Sequence, residues 1–188
     1  EFALEGRWVS GPGRPLFDAL EGALGALPLI AEDLGSVDEA TEALRDALGL
    51  PGMRVIQFGL DGAASALHHP SQYPERCIAY ASTHDSPTAR GYWESLTPER
   101  QERVSLGSDG EVACHAMVDA VLASAASWAV IALQDILALD DAARINRPGV
   151  VAGNWRWRLP AESLSSDLAT GLRGRLRRTG RSTMSTTS

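Results

Sequence analysis

Apolar positions along the chain switch between helical stripes and short solid blocks. Phe17, Leu20 and Leu24 recur at helical spacing and predict a helix over 16–24, ended before Pro28. Leu29, Ile30 and Ala31 form a brief apolar block that predicts a short buried strand. Ser36 or Asp38 is placed to cap a helix running to about 48, which Gly49 and Pro51 stop. The block 53–58, β-branched in its middle, predicts the next strand, with Gly59 and Gly62 after it. A polar loop over 61–76 leads to a strand at 77–82. A helical stretch starts over 86–93, Pro98 opens another, and 111–124 is strongly helical in composition. The block 128–133 reads as the last strand, with a short helix over 135–139. This rhythm predicts an α/β protein with four parallel strands and flanking helices.

Two of the apolar blocks end abruptly in acids. Leu29-Ile30-Ala31 runs into Glu32 and Asp33, and 80–83 runs into His84 and Asp85. A buried parallel strand that ends this way delivers a carboxylate to the mouth of a barrel or open sheet. Glu32 and Asp85 are 53 positions apart, about the length of two βα units. Acids from separate strand ends suit glycoside chemistry, which needs a proton donor and further carboxylates facing the sugar. Read locally, the same residues also serve as a cap cluster: Asp33 or Asp38 at a helix start, and Asp85 as a cap beside a packed His84.

Composition narrows the field. At 188 residues and 44% apolar, the chain is long enough for one domain with a real core. No apolar stretch approaches the ~20 residues that span a bilayer. The nearest, 113–139, is broken by His115, Asp119, Gln134 and Asp135, and no basic region opens the chain as in a signal peptide. A membrane partner is therefore not expected. The net charge of −7 disfavours a nucleic-acid partner, because phosphate contacts need a basic face. All 17 basic residues are Arg, which fits a coding bias. Cys77 and Cys114 lie among apolar neighbours without metal-ligand spacing, so they read as buried free thiols compatible with a reducing cytoplasm. No Gly-rich phosphate loop is present. The stretch 163–188 is Arg-rich and then Ser/Thr-rich, and reads as a disordered tail after a folded region 1–162.

Longer strings occur in a fixed order. Trp8-Val9-Ser10-Gly11-Pro12-Gly13 comes first, followed by Ala31-Glu32-Asp33-Leu34-Gly35 and Gly49-Leu50-Pro51-Gly52-Met53. Thr83-His84-Asp85 and Leu133-Gln134-Asp135 come next, then Arg144-Ile145-Asn146-Arg147-Pro148-Gly149 and Gly153-Asn154-Trp155-Arg156-Trp157-Arg158. Over roughly 6–160 this resembles the C-terminal part of the 4-α-glucanotransferase family (amylomaltase or disproportionating enzyme, glycoside hydrolase family 77). The resemblance implies the C-terminal half of a (β/α)8 TIM barrel, not closed by itself, since closure takes eight strands and about 250 residues.

It also implies roles. Glu32 is the expected general acid/base. Asp85 is expected to stabilise the transition state and grip sugar hydroxyls, with His84 donating hydrogen bonds to the same ring and Asn146 contributing to a subsite. Trp155 and Trp157 are either sugar platforms or packing for the last helix. Maltooligosaccharides or α-1,4-glucans are the implied substrates, no metal or organic cofactor is needed, and the implied compartment is cytoplasmic.

The match has departures. Family members continue Thr-His-Asp with Asn-Asp-Thr, whereas this chain has Ser86-Pro87-Thr88, and Pro87 removes a backbone donor. His68-His69-Pro70 is an imperfect version of a family loop and receives no site role. The nucleophile of the family sits in an Arg-Ile-Asp-His segment that is absent from these 188 residues. A retaining enzyme needs its two carboxyl groups about 5–5.5 Å apart. The expectation is thus a fragment of a retaining glucanotransferase, inactive alone. The alternative is a non-catalytic half-barrel that binds glucan weakly or assembles with a chain supplying the missing N-terminal half.

Overall fold

Pro15, whose ring presets a helical φ, stands in the first turn of α1 (Arg14–Leu24), and Gly25 closes it at φ 78°. Asp38 accepts the Thr41 N–H at 2.8 Å and so caps α2 (Glu39–Ala47). The computed structural model that shows these elements describes residues 6, 9–35, 37–60 and 63–181, leaving aside the side chains of 63–65. Trp8, the alternative cap Ser36, Gly62 and the tail residues 182–188 lie outside the described residues.

The two helices belong to a first compact unit, Glu1–Gly52, and the rest forms a second, Met53–Ser188. In the first unit the strand expected at 29–31 does not form. Pro28 has no N–H, and the Leu29 N–H turns back to the Leu27 carbonyl at 2.9 Å. The Ala31 N–H reaches the Pro51 carbonyl at 2.9 Å, but one such bond does not make a ladder. The segment is extended chain, pinned by Asp33, which takes the Arg45 guanidinium at 2.5 Å.

Among the described residues there are three strands where four were expected. They are β1 (Gly52–Val55), β2 (Cys77–Tyr80) and β3 (Trp128–Val130), in the order β1-β2-β3 of an open parallel sheet. Strands β2 and β3 pair Ile78 with Trp128, Ala79 with Ala129 and Tyr80 with Val130. Strand β1 is shorter than its apolar block because the chain turns into a 3-10 helix, Ile56–Gly59. His68 Nδ1 takes the Val55 N–H at 3.2 Å, and Gly59 lies so close that a Cβ there would strike the His68 backbone. Likewise the 128–133 block is strand only to Val130, and Leu133 already opens a helix.

After β2 come α3 (Ala89–Ser95), α4 (Pro98–Val104) and α5 (Gly110–Ala123), and after β3 a single turn, α6 (Leu133–Ile136). Cys77, Ala79 and Ala81 face the same core as Trp93 of α3 and Met117, Val118 and Val121 of α5. Their alternation along the chain is the period of two that a strand imposes. The small side chains on β2 leave room for the large ones on the helices.

The expected disordered tail is in part a helix, α7 (Ser166–Arg178), with Ser165 accepting the Leu168 N–H at 3.1 Å. Arg175 pairs with Asp119 at 2.8 Å. Arg181 donates to the carbonyls of Ser124 (3.0 Å), Ala126 (2.6 Å) and Leu122 (2.5 Å), where α5 ends and leaves acceptors unpaired. The arginines that suggested a solvated tail dock it instead. No helix among the described residues is long and apolar enough to cross a membrane.

Candidate functional site

Strand β2 ends at Tyr80, and the loop 83–88 carries His84 and Asp85 before α3 begins. Hydroxyls fold this loop locally. Thr83 Oγ1 accepts the N–H groups of Asp85 (3.3 Å) and Ser86 (3.2 Å), while Ser86 Oγ accepts the Thr83 N–H at 2.9 Å. Thr88 Oγ1 accepts the Gly91 N–H at 3.0 Å and caps α3. The departure Ser86-Pro87-Thr88 therefore supplies the bonds that shape the turn. Buried Gln57 spans its two ends, donating from Nε2 to the carbonyls of Ala81 (3.1 Å) and Pro87 (3.0 Å).

The segment 144–146 runs beside this loop and is tied to it in both directions. The Asn146 N–H donates to the His84 carbonyl at 3.0 Å, and Arg144 Nη2 donates to the Asp85 carbonyl at 2.5 Å. Asn146 Nδ2 then donates to Asp85 Oδ1 at 2.5 Å, and His84 Nε2 stands 3.3 Å from the same oxygen. Arg144 Nε holds the Asn146 carbonyl at 2.8 Å. The His84 and Asp85 side chains stay about half exposed, so the cluster faces solvent. A ligand there meets a carboxylate, an amide and an imidazole.

Trp155 completes the group. Its N–H donates to the Ile145 carbonyl at 2.8 Å, and its ring lies 5.3 Å from the His84 ring at 35°. It adopts φ 61°, a left-handed backbone that an aromatic residue rarely holds, and its surface is 59% exposed. Asn154 folds the preceding turn, accepting the Arg147 N–H at 2.9 Å and donating to the Val150 carbonyl at 3.0 Å. A cavity of about 330 Å3 opens beside the cluster, lined by Tyr80, Thr83, His84, Gln134, Arg144 and Ile145 among others.

Of the residues singled out in the sequence, His84, Asp85 and Asn146 are thus brought together. Glu32 is exposed and belongs to the first unit. Asp33, its neighbour, is nearly buried against Arg45 and Gly52, in keeping with a structural part. Sequence reasoning missed Gln57 and Arg144. Gln57 had a signal, a polar residue inside the apolar run 53–58, whereas nothing marked which Arg would reach Asp85. Among the described residues, no three His, Cys, Asp or Glu gather into a group able to hold a metal.

Two buried groups nearby are shifted. Burial pushes the Asp135 carboxyl above its ordinary range, opposed by hydrogen bonds from the Ala89 N–H and the Ser82 hydroxyl. Burial, aided by the neighbouring Asp135, pushes the Cys114 thiol up to about 12.

A parallel α/β sheet with polar groups converging beyond the ends of its strands is the class in which ligands bind at that end. The chain belongs to the 4-alpha-glucanotransferase family (Glyco_hydro_77), which matches residues 1–164. The 4-alpha-glucanotransferase of Thermus thermophilus is 38% identical over 182 residues, 91% of this chain and 36% of that protein. The chloroplastic/amyloplastic 4-alpha-glucanotransferase of Arabidopsis thaliana is 37% identical over 172 residues, 89% of this chain and 30% of that protein. Among solved structures, the amylomaltase from Streptococcus agalactiae in complex with acarbose superposes with a TM-score of 0.86 at 32% identity, covering 95% of this chain and 37% of that one. The chain spans about a third of the length of the relatives it matches.

Proposed function

We propose that the chain is the C-terminal half of a 4-α-glucanotransferase barrel and carries the general acid/base and the sugar-gripping acid of a retaining transfer. The convergence of Asn146 and His84 on the Asp85 carboxylate supports this, because fixed donors and an acceptor on one exposed cluster suit sugar hydroxyls. Maltooligosaccharides and other α-1,4-glucans are the substrates we assign. The structural neighbour solved with acarbose supports that class.

In the proposed reaction a carboxylate attacks the anomeric carbon and the glycosidic C–O bond breaks. Glu32 gives its proton to the departing sugar oxygen. In the second half Glu32 takes the proton from the 4-hydroxyl of an acceptor sugar, whose oxygen displaces the enzyme carboxylate. Asp85 accepts hydrogen bonds from ring hydroxyls, bonds that strengthen as the ring flattens toward an oxocarbenium ion. The nucleophile must come from outside these 188 residues, since no Arg-Ile-Asp-His segment is present. A reducing cytoplasm suits the two buried free cysteines.

The test is incubation of the purified chain with maltotriose, following glucose and longer maltooligosaccharides, with Glu32→Gln as control. The chain alone is expected to bind maltotriose and release nothing. Glu32-dependent disproportionation by the chain alone would overturn the assignment of the nucleophile to another segment.

A further inference from the structure

Asp135 is fully buried and takes no part in the chemistry above. Its two carboxylate oxygens face the two ends of one loop. Oδ2 accepts from the Ser82 hydroxyl, just after β2, and Oδ1 accepts from the Ala89 N–H at 2.7 Å, at the first residue of α3. Between those points lies 83–88, with His84 and Asp85. The Asp135 main chain is itself held, its carbonyl accepting from the Cys114 thiol of α5 at 3.3 Å. A rigid path therefore runs from the core helix through one side chain to both ends of the loop.

The cost of such an arrangement argues against a filler role. A carboxylate inside a core is expensive unless both oxygens are hydrogen-bonded, and an apolar residue of similar volume would pack there more cheaply. What an apolar residue does not provide is a fixed separation between Ser82 and Ala89. Gln57 spans the same loop from its own side, bonding Ala81 and Pro87, and the two clamps leave the chain little freedom except at its tip.

We propose that Asp135 is a positioning residue for Asp85 and His84, clamping both ends of the loop 83–88 so that Asp85 meets Asn146 in the geometry that receives a sugar. This rests on the glucan-binding assignment above only for its last clause, since the clamp is read from the loop itself.

The test uses the full 188-residue chain, isotope-labelled, with three variants: Asp135→Ala, Asp135→Asn and Ser82→Ala. The readouts are the Asn146 side-chain amide resonances, hydrogen exchange at residues 84–86, thermal melting, and maltotriose titration. Asp135→Ala is expected to collapse the two Asn146 amide resonances toward free-amide values, speed exchange in the loop at least tenfold, and weaken maltotriose at least tenfold. Asp135→Asn keeps an acceptor for the Ala89 N–H and is expected to restore the Asn146 resonances. Ser82→Ala removes one arm of the clamp, is expected to give an intermediate result, and replaces Asp135→Ala should that variant fail to fold.

A lowered melting temperature with unchanged Asn146 resonances and unchanged loop exchange would overturn the proposal, leaving Asp135 a packing residue. Absence of maltotriose binding in the unaltered chain, with the resonance shifts still seen, would overturn the glucan assignment and leave the clamp standing.

Discussion

Asp85 owes its aim to residues far from it in sequence. Its own neighbours, Thr83 and Ser86, only shape the turn; Arg144 and Asn146, about sixty positions later, fix where the carboxylate sits. A hydrogen bond to a charged group contributes about 1.5–3 kcal/mol when shielded and less in a half-exposed cluster. Asn146→Ala is therefore expected to weaken maltotriose binding about tenfold, measured by calorimetry, with melting nearly unchanged because the cluster faces solvent. The buried Asp135 behaves differently. Its carboxyl holds a proton more tightly folded than unfolded, so its contribution to stability is full below the unfolded value and is lost as pH rises through the folded one. Denaturant titrations of the unaltered chain and Asp135→Asn across acidic pH should show the difference moving in favour of the unaltered chain as pH falls. At this scale the sequence was legible where a motif named the residue, as for His84 and Asp85. It marked Gln57 only as a polar residue inside an apolar run and Asp135 only as part of a motif without a role, because what each one holds comes from what the fold sets around it.

At the scale of elements, the helices were the legible part. A cap at Ser36 or Asp38 with the stop at Gly49 and Pro51 predicted α2, and the helical composition of 111–124 predicted α5, because caps and helix propensity are both local signals. Strand 29–31 failed since three apolar residues look alike in a ladder and in an extended segment; only the partner decides, and the partner is not local. Helix α7 was obscured by charge. Leu168, Leu172 and Leu176 recur every four positions and Ser165 stands ready to cap, yet the arginines between them suggested a solvated tail. Leu176 packs on the core, and Arg181 closes the end of α5 through three carbonyls. Arg181→Ala should leave those acceptors to water and cost about 1–3 kcal/mol. Hydrogen exchange should show the loss first in α7 and in the last turn of α5, with β2 unaffected.

For the whole molecule, the three-stranded sheet is open and ends in an edge strand. Strand β3 ends the order β1-β2-β3, and its Trp128 is 63% exposed with Val130 also outward. An edge strand that shows apolar side chains beside unpaired backbone groups is a site for pairing with another strand. The proposed reaction points the same way: it assigns Glu32 as acid/base and Asp85 as the acid that grips the sugar, and it draws its nucleophile from another segment. A polypeptide carrying the upstream half of a related glucanotransferase, with its Arg-Ile-Asp-His segment, should therefore bind this chain and restore disproportionation of maltotriose. Glu32→Gln should abolish that restored activity without preventing association. Trp128→Glu should do the reverse, weakening association at least tenfold in a fluorescence titration while leaving turnover per assembled complex unchanged, because it adds a charge at the edge and touches none of the site. Activity restored with Glu32→Gln in place would remove Glu32 from the mechanism. Undiminished association of Trp128→Glu would move the pairing edge away from β3.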